Sequence, residues 1–151
     1  SPIHSVLAAI TQLSLLADMM GSKMEAPVPA LVAAIGVDII EIARIDRAIS
    51  EWQDTFLNRI YTRAELESHH NVSSLAARFA AKEAVTKALG TGVRGVNWKD
   101  IEILANGDGA PLVRLHRRAL ERSRELGIAR FSISMSHSRE YAVAFVVGHA
   151  V

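Results

Sequence analysis

The stretch from Arg78 to Gly92 constrains the fold of this chain most, because it predicts a narrow helix with an abrupt end. Small side chains keep the helix thin, so that another backbone or a ligand can come close. They are Ala76, Ala77, Ala80, Ala81, Ala84 and Ala88. We expect Ser73 and Ser74 to begin the helix as capping residues. Gly90 is expected to end it, since glycine readily adopts the left-handed conformation that follows a helix.

Two faces of this predicted helix carry charge. Glu83 and Lys87 are four residues apart and therefore share one face, while Arg78 and Lys82 share another. A single carboxylate among three cations suits a divalent metal ion that carries a phosphate, with the acid on the metal and the cations on the phosphate. The alternative is a solvated helix with ordinary ion pairs.

The composition restricts the classes of function. The chain has 151 residues, of which 50% are hydrophobic, enough to build the core of one domain. Lysine and arginine number 17 against 16 aspartates and glutamates, so a general nucleic-acid binder is not expected. The absence of cysteine excludes disulfides, thiolate metal sites and cysteine nucleophiles, and it fits a cytoplasmic protein.

Residues 1–30 are predicted to be an N-terminal helical appendage and linker, and residues 31–151 to be the folded domain. Apolar residues at spacings of three and four predict an amphipathic helix over residues 3–20. Polar residues interrupt it, so we do not expect it to span a membrane. Its apolar stripe must be buried against the domain or against another subunit.

The domain begins with a predicted buried strand from Ala30 to Ile40, an apolar run broken by Gly36 and Asp38. An aspartate in such a run is costly to bury unless it is paired or bound to a metal. Residues 42–60 are predicted to be helical. A capping box from Thr62 to Glu65 is expected to begin a further short helix.

The C-terminal half predicts hairpins. Alternating segments flank Asn106 to Gly109, a strong turn signal, and residues 116–126 predict a basic helix. Strands are expected over residues 100–104, 111–115, 131–136 and 141–147. The mixture of helices and antiparallel hairpins predicts an α+β domain, with an antiparallel sheet packed on a long central helix.

Few residue patterns in this chain could carry chemistry. Asp38 and Glu83 are the candidate metal pair, since Mg²⁺ takes one or two carboxylates and fills its other positions with water and phosphate oxygens. His137 follows an alternating strand and begins a turn, where a side chain can point into a cleft; the alternative is a structural histidine. The turn from Gly90 to Gly92 is either a helix end or a phosphate contact. Walker, dinucleotide and nucleophile-elbow motifs are absent.

Four blocks, taken in order and spacing, resemble the holo-acyl-carrier-protein synthase type of 4′-phosphopantetheinyl transferase. They are Ile35–Ile45, Tyr61–Leu66, Arg78–Ala84 and Ser134–His137. The first and third blocks together are highly specific for this family. Residues 1–30 have no counterpart in it.

The resemblance implies a Mg²⁺-dependent transfer of the phosphopantetheine arm of coenzyme A to a serine of apo-acyl carrier protein, releasing adenosine 3′,5′-bisphosphate. It implies that Asp38 and Glu83 hold the metal against the diphosphate and that Lys87 stabilises charge near the phosphates. The implied nucleotide contacts are Arg78, Lys82, Lys87, Gly90, Thr91, Gly92, Ser136 and His137. The base that activates the carrier serine stays open between a metal-bound water and a carboxylate such as Glu83.

The resemblance also implies a partner surface and an assembly. Arg44 matches a family arginine that meets the acidic helix of the carrier protein, and Arg47 and Arg63 extend the same basic surface. The alternative is that these arginines are simply solvated. The family resemblance further implies a homotrimer whose active sites lie between neighbouring subunits.

Three other classes of function stay open on the sequence alone. A non-catalytic module that binds coenzyme A could dispense with Asp38 or Glu83. A protein that only recognises an acidic helical partner would need neither the carboxylates nor His137. A magnesium-dependent hydrolase of diphosphates would use the same parts and is the hardest to exclude.

Overall fold

The computed structural model describes residues 32–90 and 95–150. The predicted appendage over residues 1–30 and the predicted contacts of Thr91 and Gly92 lie outside the described residues. The elements in chain order are β1 Val32–Glu41, α1 Ile42–Ile60, α2 Arg63–Ser68, α3 Val72–Leu89, a 3₁₀ turn Trp98–Asp100, β2 Ile101–Ala105, β3 Pro111–Leu115, α4 Arg117–Glu125, β4 Ile128–His137 and β5 Tyr141–Ala150.

The strands form two antiparallel sheets. One is three-stranded in the order β1–β5–β4, and the other is the β2–β3 hairpin. The long helix α3 packs against β1 and β5, and alanines of α3 and of β5 belong to the same buried core. The α+β prediction, with an antiparallel sheet on a long central helix, is confirmed.

The position of β1 against α3 depends on Gly36. A Cβ placed at Gly36 would overlap the carbonyl oxygen of Ala84 and would lie 3.2 Å from the nitrogen of Ala88. Only a residue without a side chain allows this approach, and the small residues of α3 complete the fit. The thin helix predicted from its alanines is therefore the surface on which β1 lies.

The end of α3 follows the prediction, but its start does not. Gly90 ends the helix with a φ of 73°, a conformation in which glycine carries no Cβ penalty. The predicted cap at Ser73 and Ser74 is wrong: the helix begins at Val72, and Asn71 is its cap. The Asn71 side-chain oxygen accepts a hydrogen bond of 2.8 Å from the Ser74 backbone nitrogen, the usual reach of a cap to the third helical amide.

Helix α1 has the predicted extent but is interrupted at Gln53, where φ is 47° and ψ is −127°. The capping box that starts α2 is confirmed, with reciprocal hydrogen bonds between Thr62 and Glu65. In the β2–β3 turn, the side chain of Asn106 accepts hydrogen bonds from the backbone nitrogens of Asp108 and Ala110. Turn chemistry visible in the sequence therefore fixes both connections.

The outer face of the three-stranded sheet is apolar and exposed along two strands. The exposed large side chains there are Val32, Ile35, Val37, Ile39, Tyr141 and Phe145. Exposed apolar surface of this extent is typical of an interface. Within the described residues, no helix is long and apolar enough to cross a membrane.

Candidate active site

Strand β1 and helix α3 bring Asp38 and Lys87 into contact. Asp38 lies on the same face of β1 as the buried Gly36 and Ile40, because side chains alternate along a strand. The Lys87 Nζ donates a hydrogen bond of 2.9 Å to Asp38 Oδ1 and a second of 3.2 Å to the carbonyl oxygen of Val37. The Asp38 side chain is 15% exposed and the Lys87 side chain 55%. The carboxylate is thus held at the rim of the core, with a solvent-facing cation above it.

Glu83 lies one helical turn before Lys87 and faces the same site. Burial raises the pKa of the Glu83 carboxyl, the negative charge of Asp38 raises it further, and the positive charge of Lys87 opposes both. The hydrogen bond to Asp38, followed by its charge, raises the pKa of Lys87. The two predicted metal ligands therefore lie in one electrostatic environment, whose net charge of −1 comes from two carboxylates and one ammonium.

This donor set fits a hard divalent cation. Two carboxylates share the site, and the Lys87 ammonium stands where positive charge is favoured. Among residues 32–90 and 95–150, no group of three or more histidines, cysteines, aspartates or glutamates could hold a metal ion. A site with only two protein carboxylates leaves most positions for water and phosphate oxygens, which is the usual way in which proteins bind Mg²⁺.

Lys82 does not lie at this site. Its side chain is fully buried, and its Nζ donates to Glu65 Oε1 at 2.8 Å and to the backbone oxygens of Ile101 and Trp98 at 2.6 and 3.2 Å. Burial lowers the pKa of Lys82, and the charge of Glu65 acts against that change. All three ammonium donors are used inside the protein, so the prediction that Lys82 contacts the coenzyme finds no support in this geometry.

Glu65 completes this interior pair and has a role that the sequence did not reveal. Beyond its capping hydrogen bond, its second carboxylate oxygen accepts from the backbone nitrogen of Ile103 at 3.1 Å. Glu65 therefore joins α2 to β2, while Lys82 joins both to α3. The residues are 17 positions apart, so no helical spacing could have paired them.

Among the described residues, Arg78 forms no salt bridge with Asp38 or Glu83. It is buried, donates to the Ser74 backbone oxygen at 3.2 Å, and leaves its Nε buried without a hydrogen-bond partner. Burial lowers the pKa of Arg78, and the charge of Glu65 opposes that change. The guanidinium therefore keeps one buried donor, Nε, without a partner. The nucleotide contact predicted for Arg78 stays a prediction.

His137 and Ser136 end strand β4 and face opposite sides of the sheet. His137 is in register with Ala142 of β5, which pairs with Ile40 of β1. His137 thus shares the sheet face of Asp38 but lies two strands away, about 10 Å across the sheet. Ser136 lies on the other face. A single ligand that contacts both Asp38 and His137 would have to extend across the width of β5, the strand between them.

The three predicted partner-binding arginines are exposed. Arg44 and Arg47 lie in the first turns of α1, which continues directly from β1, so Arg44 comes six residues after Asp38. Among the described residues, neither arginine forms a salt bridge. Arg63 instead pairs with Glu67, four residues on, at 3.3 Å.

A cleft beside Glu83 was not anticipated from the sequence. It has a volume of about 210 Å³ and lies between α3 and the segment that precedes β2. Its lining is Glu83, Thr86, Val96, Asn97, Trp98 and Ile101. Trp98 stacks on Phe79 with the ring centroids 4.8 Å apart. A recess with both polar and apolar walls therefore opens directly next to one of the two carboxylates.

Fold and site together define an α+β protein in which two carboxylates, Asp38 and Glu83, lie beside the exposed ammonium of Lys87. The family model of the 4′-phosphopantetheinyl transferase superfamily matches residues 34–146. The chain belongs to this family.

Relatives with assigned names agree with that placement. The holo-[acyl-carrier-protein] synthase of Herpetosiphon aurantiacus is 49% identical over 121 residues, covering 75% of this chain and 95% of the relative. That of Dehalococcoides mccartyi is 51% identical over 113 residues, with coverages of 74% and 94%.

Solved structures agree as well. The Neisseria meningitidis holo-[acyl-carrier-protein] synthase superposes with a TM-score of 0.71 at 38% identity, covering 78% of this chain and 98% of that one. The Helicobacter pylori enzyme, solved in complex with coenzyme A, superposes with a TM-score of 0.68 at 35% identity, with coverages of 76% and 98%.

Proposed function

We propose that this protein is a holo-acyl-carrier-protein synthase, which transfers the 4′-phosphopantetheine group of coenzyme A to a serine of apo-acyl carrier protein. The observation that carries the proposal is the juxtaposition of Asp38, Glu83 and Lys87 at the contact between β1 and α3. Near-complete coverage of relatives that bear this name supports it. The products are holo-acyl carrier protein and adenosine 3′,5′-bisphosphate.

In the proposed reaction, the serine hydroxyl attacks the phosphorus that carries pantetheine. The new bond joins the serine oxygen to that phosphorus, and the bond to the bridging diphosphate oxygen breaks. The electron pair leaves with adenosine 3′,5′-bisphosphate. The hydroxyl proton passes to a base, which is either water or a carboxylate. The barrier depends on stabilising charge that spreads over the phosphate oxygens.

Asp38 and Glu83 would hold Mg²⁺ at this site. When bound, the ion neutralises the diphosphate and its leaving oxygen. Lys87, exposed and one helical turn from Glu83, would donate to a phosphate oxygen beside them. Arg78, the Gly90–Gly92 turn and His137 remain the proposed nucleotide contacts.

We further propose that Arg44 and Arg47 receive the acidic carrier protein. Both are exposed at the start of α1, and β1 connects them directly to Asp38. A carrier docked on this helix would bring its serine toward the carboxylates without a long reach. Charge complementarity of this kind speeds association and selects the partner.

The proposed assembly is a homotrimer with active sites between neighbouring subunits, in the cytoplasm. The exposed apolar face of the three-stranded sheet supports an interface there. His137 lies two strands across and two residues along the sheet from Asp38 in its own subunit, a separation of about 12 Å. A neighbouring copy that supplies His137 would shorten that separation.

The deciding experiment mixes the protein with coenzyme A, Mg²⁺ and apo-acyl carrier protein and measures the mass of the carrier. We expect a gain of one phosphopantetheine, lost on adding a chelator and restored by excess Mg²⁺. Asp38→Asn and Glu83→Gln are expected to abolish the gain while the circular dichroism spectrum stays unchanged. Coenzyme A cleaved without any carrier modification would instead establish a diphosphate hydrolase and overturn the proposal.

A further inference from the structure

The Lys87 ammonium is bound to Asp38, one of the two carboxylates that the proposed metal site needs. Its Nζ lies 2.9 Å from Asp38 Oδ1 and also donates to the Val37 carbonyl oxygen at 3.2 Å. More than half of the lysine side chain is exposed, so no packing prevents it from swinging away. Within the described residues, Asp38 is the only carboxylate with which Lys87 forms a salt bridge.

An ammonium on one oxygen of Asp38 opposes the binding of a divalent cation to the same carboxylate. At separations of a few ångströms, two positive charges repel strongly in a partly buried site. The ammonium also reduces the charge of the two carboxylates from −2 to −1, which weakens their attraction for a metal ion. Binding a metal in the absence of substrate would therefore leave the Lys87 ammonium without its partner and beside another cation.

We propose that Lys87 is an exchangeable cation that gives up Asp38 only when a diphosphate is present to receive it, so that metal and coenzyme A bind cooperatively. This inference rests on the proposed function. In the free enzyme, the ammonium holds Asp38 in place at the rim of the core. In the substrate complex, the same ammonium moves to a phosphate oxygen, where it stabilises the charge of the reaction.

The cost of removing Lys87 from Asp38 is thus compensated by the new contact with the diphosphate. A coupling of this kind is reciprocal: coenzyme A raises the affinity for Mg²⁺ by the same factor by which Mg²⁺ raises the affinity for coenzyme A. Lys87 is the element through which the two ligands are coupled, since it contacts the metal ligand in one state and the phosphate in the other.

Isothermal titration calorimetry with Mg²⁺ tests this directly, on the protein without any carrier, so that no phosphopantetheine can be transferred. Mg²⁺ is titrated into the free protein and into protein saturated with coenzyme A. Lys87→Met removes the exchangeable cation, and Lys99→Met removes the same charge at a site away from Asp38. Far-ultraviolet circular dichroism checks that both variants are folded, and Lys87→Gln repeats the test with a polar side chain.

For the wild type, we expect coenzyme A to raise the Mg²⁺ affinity by at least about fivefold. For Lys87→Met, the free protein is expected to bind Mg²⁺ at least about fivefold more tightly than the wild type. This factor corresponds to the free energy of one partly exposed ion pair, which the metal no longer has to break. The coupling factor, by which coenzyme A raises the Mg²⁺ affinity, should fall toward one in Lys87→Met. Lys99→Met should match the wild type in both the Mg²⁺ affinity and the coupling factor.

Equal Mg²⁺ affinities of the free wild type and both Lys87 variants would overturn the exchange. An unchanged coupling factor in the Lys87 variants would also overturn it. Failure of the proposed function is recognised separately, since it is read from the carrier mass and not from these titrations. A wild type that transfers phosphopantetheine but shows no coupling would refute the exchange alone.

Discussion

Gly36 of β1 lies directly over the carbonyl oxygen of Ala84 in α3, with no space between them for a Cβ. This contact sets the distance between the strand that carries Asp38 and the helix that carries Glu83 and Lys87. The Lys87–Asp38 hydrogen bond of 2.9 Å spans the same contact, two residues further along the strand. The close backbone contact between β1 and α3 at Gly36 therefore also determines the geometry of the candidate active site.

Gly36→Ala is expected to destabilise the protein by about 1–3 kcal/mol, because the added methyl group forces β1 away from α3. It should also reduce the rate of transfer, since Asp38 moves with the strand. Urea unfolding monitored by circular dichroism gives the free energy of unfolding, and the carrier mass assay gives the rate. Gly107→Ala is the control, because nothing lies within 4 Å of a Cβ there. Equal stabilities of the two variants would contradict this account.

The sequence predicted the elements well where the signal is local. The capping box at Thr62, the turn at Asn106 and the helix end at Gly90 are all present, because each depends on residues within four positions of one another. The cap of α3 was misplaced for a related reason. Asparagine and serine are nearly equivalent caps, and the chain offers Asn71 only two positions before Ser73.

Side-chain direction was the part that the sequence could not settle. Lys82 and Lys87 were both predicted to approach phosphates, yet one is fully buried and the other is exposed. The difference arises from Glu65 and the Ile101 carbonyl, which are distant in the chain. The cleft beside Glu83 is likewise formed by the segment before β2, whose approach to α3 is a tertiary contact.

Lys82→Met is expected to lower the free energy of unfolding by about 3–5 kcal/mol, because it leaves the Glu65 carboxylate buried without its cation. The double variant Glu65→Gln, Lys82→Met should recover part of that loss, since it removes the unpaired charge as well. Chemical unfolding of both variants provides the measurement. In the folded double variant, the KM for coenzyme A should stay near the wild-type value. A large rise in that KM would instead restore Lys82 as a coenzyme contact.

Acidification should destabilise the protein through Glu102. Burial alone would raise the pKa of this carboxyl, but hydrogen bonds from Thr62 and His116 outweigh it and lower the pKa below its usual value. A carboxyl with a lowered pKa in the folded state contributes stability above its unfolded pKa, and that contribution is lost as the pH falls through the folded pKa.

Glu102→Gln removes this contribution. Between about pH 6 and about pH 3.5, the urea midpoint of the wild type should therefore fall further than that of the variant. Glu67→Gln is a suitable control, because Glu67 lies on the exposed side of α2. If wild type and Glu102→Gln lost equal stability across this range, the hydrogen bonds of Glu102 would not be its source.

Arg44→Glu is expected to raise the KM for the carrier protein by about tenfold or more, because it places a negative charge against an acidic partner. The KM for coenzyme A should stay unchanged. Arg63→Glu is the matched charge reversal at a site where the wild-type arginine already pairs with Glu67, so its effect on the carrier should be smaller. Initial rates over ranges of each substrate separate these values. Equal increases for both substrates would contradict a docking role for Arg44.

The apolar outer face of the sheet predicts how the assembly can be broken. Val37 and Phe145 are paired in register on β1 and β5, and they are 54% and 45% exposed. Val37→Glu would place an unpaired charge in any interface that covers them, at a cost that an oligomer does not tolerate well. We expect this variant to sediment as a monomer where the wild type sediments as an oligomer.

Trp52→Glu, at a residue that is 62% exposed on α1, should leave the assembly intact. An oligomeric Val37→Glu variant would show that this face is not the interface, and a monomeric wild type would rule out the trimer itself.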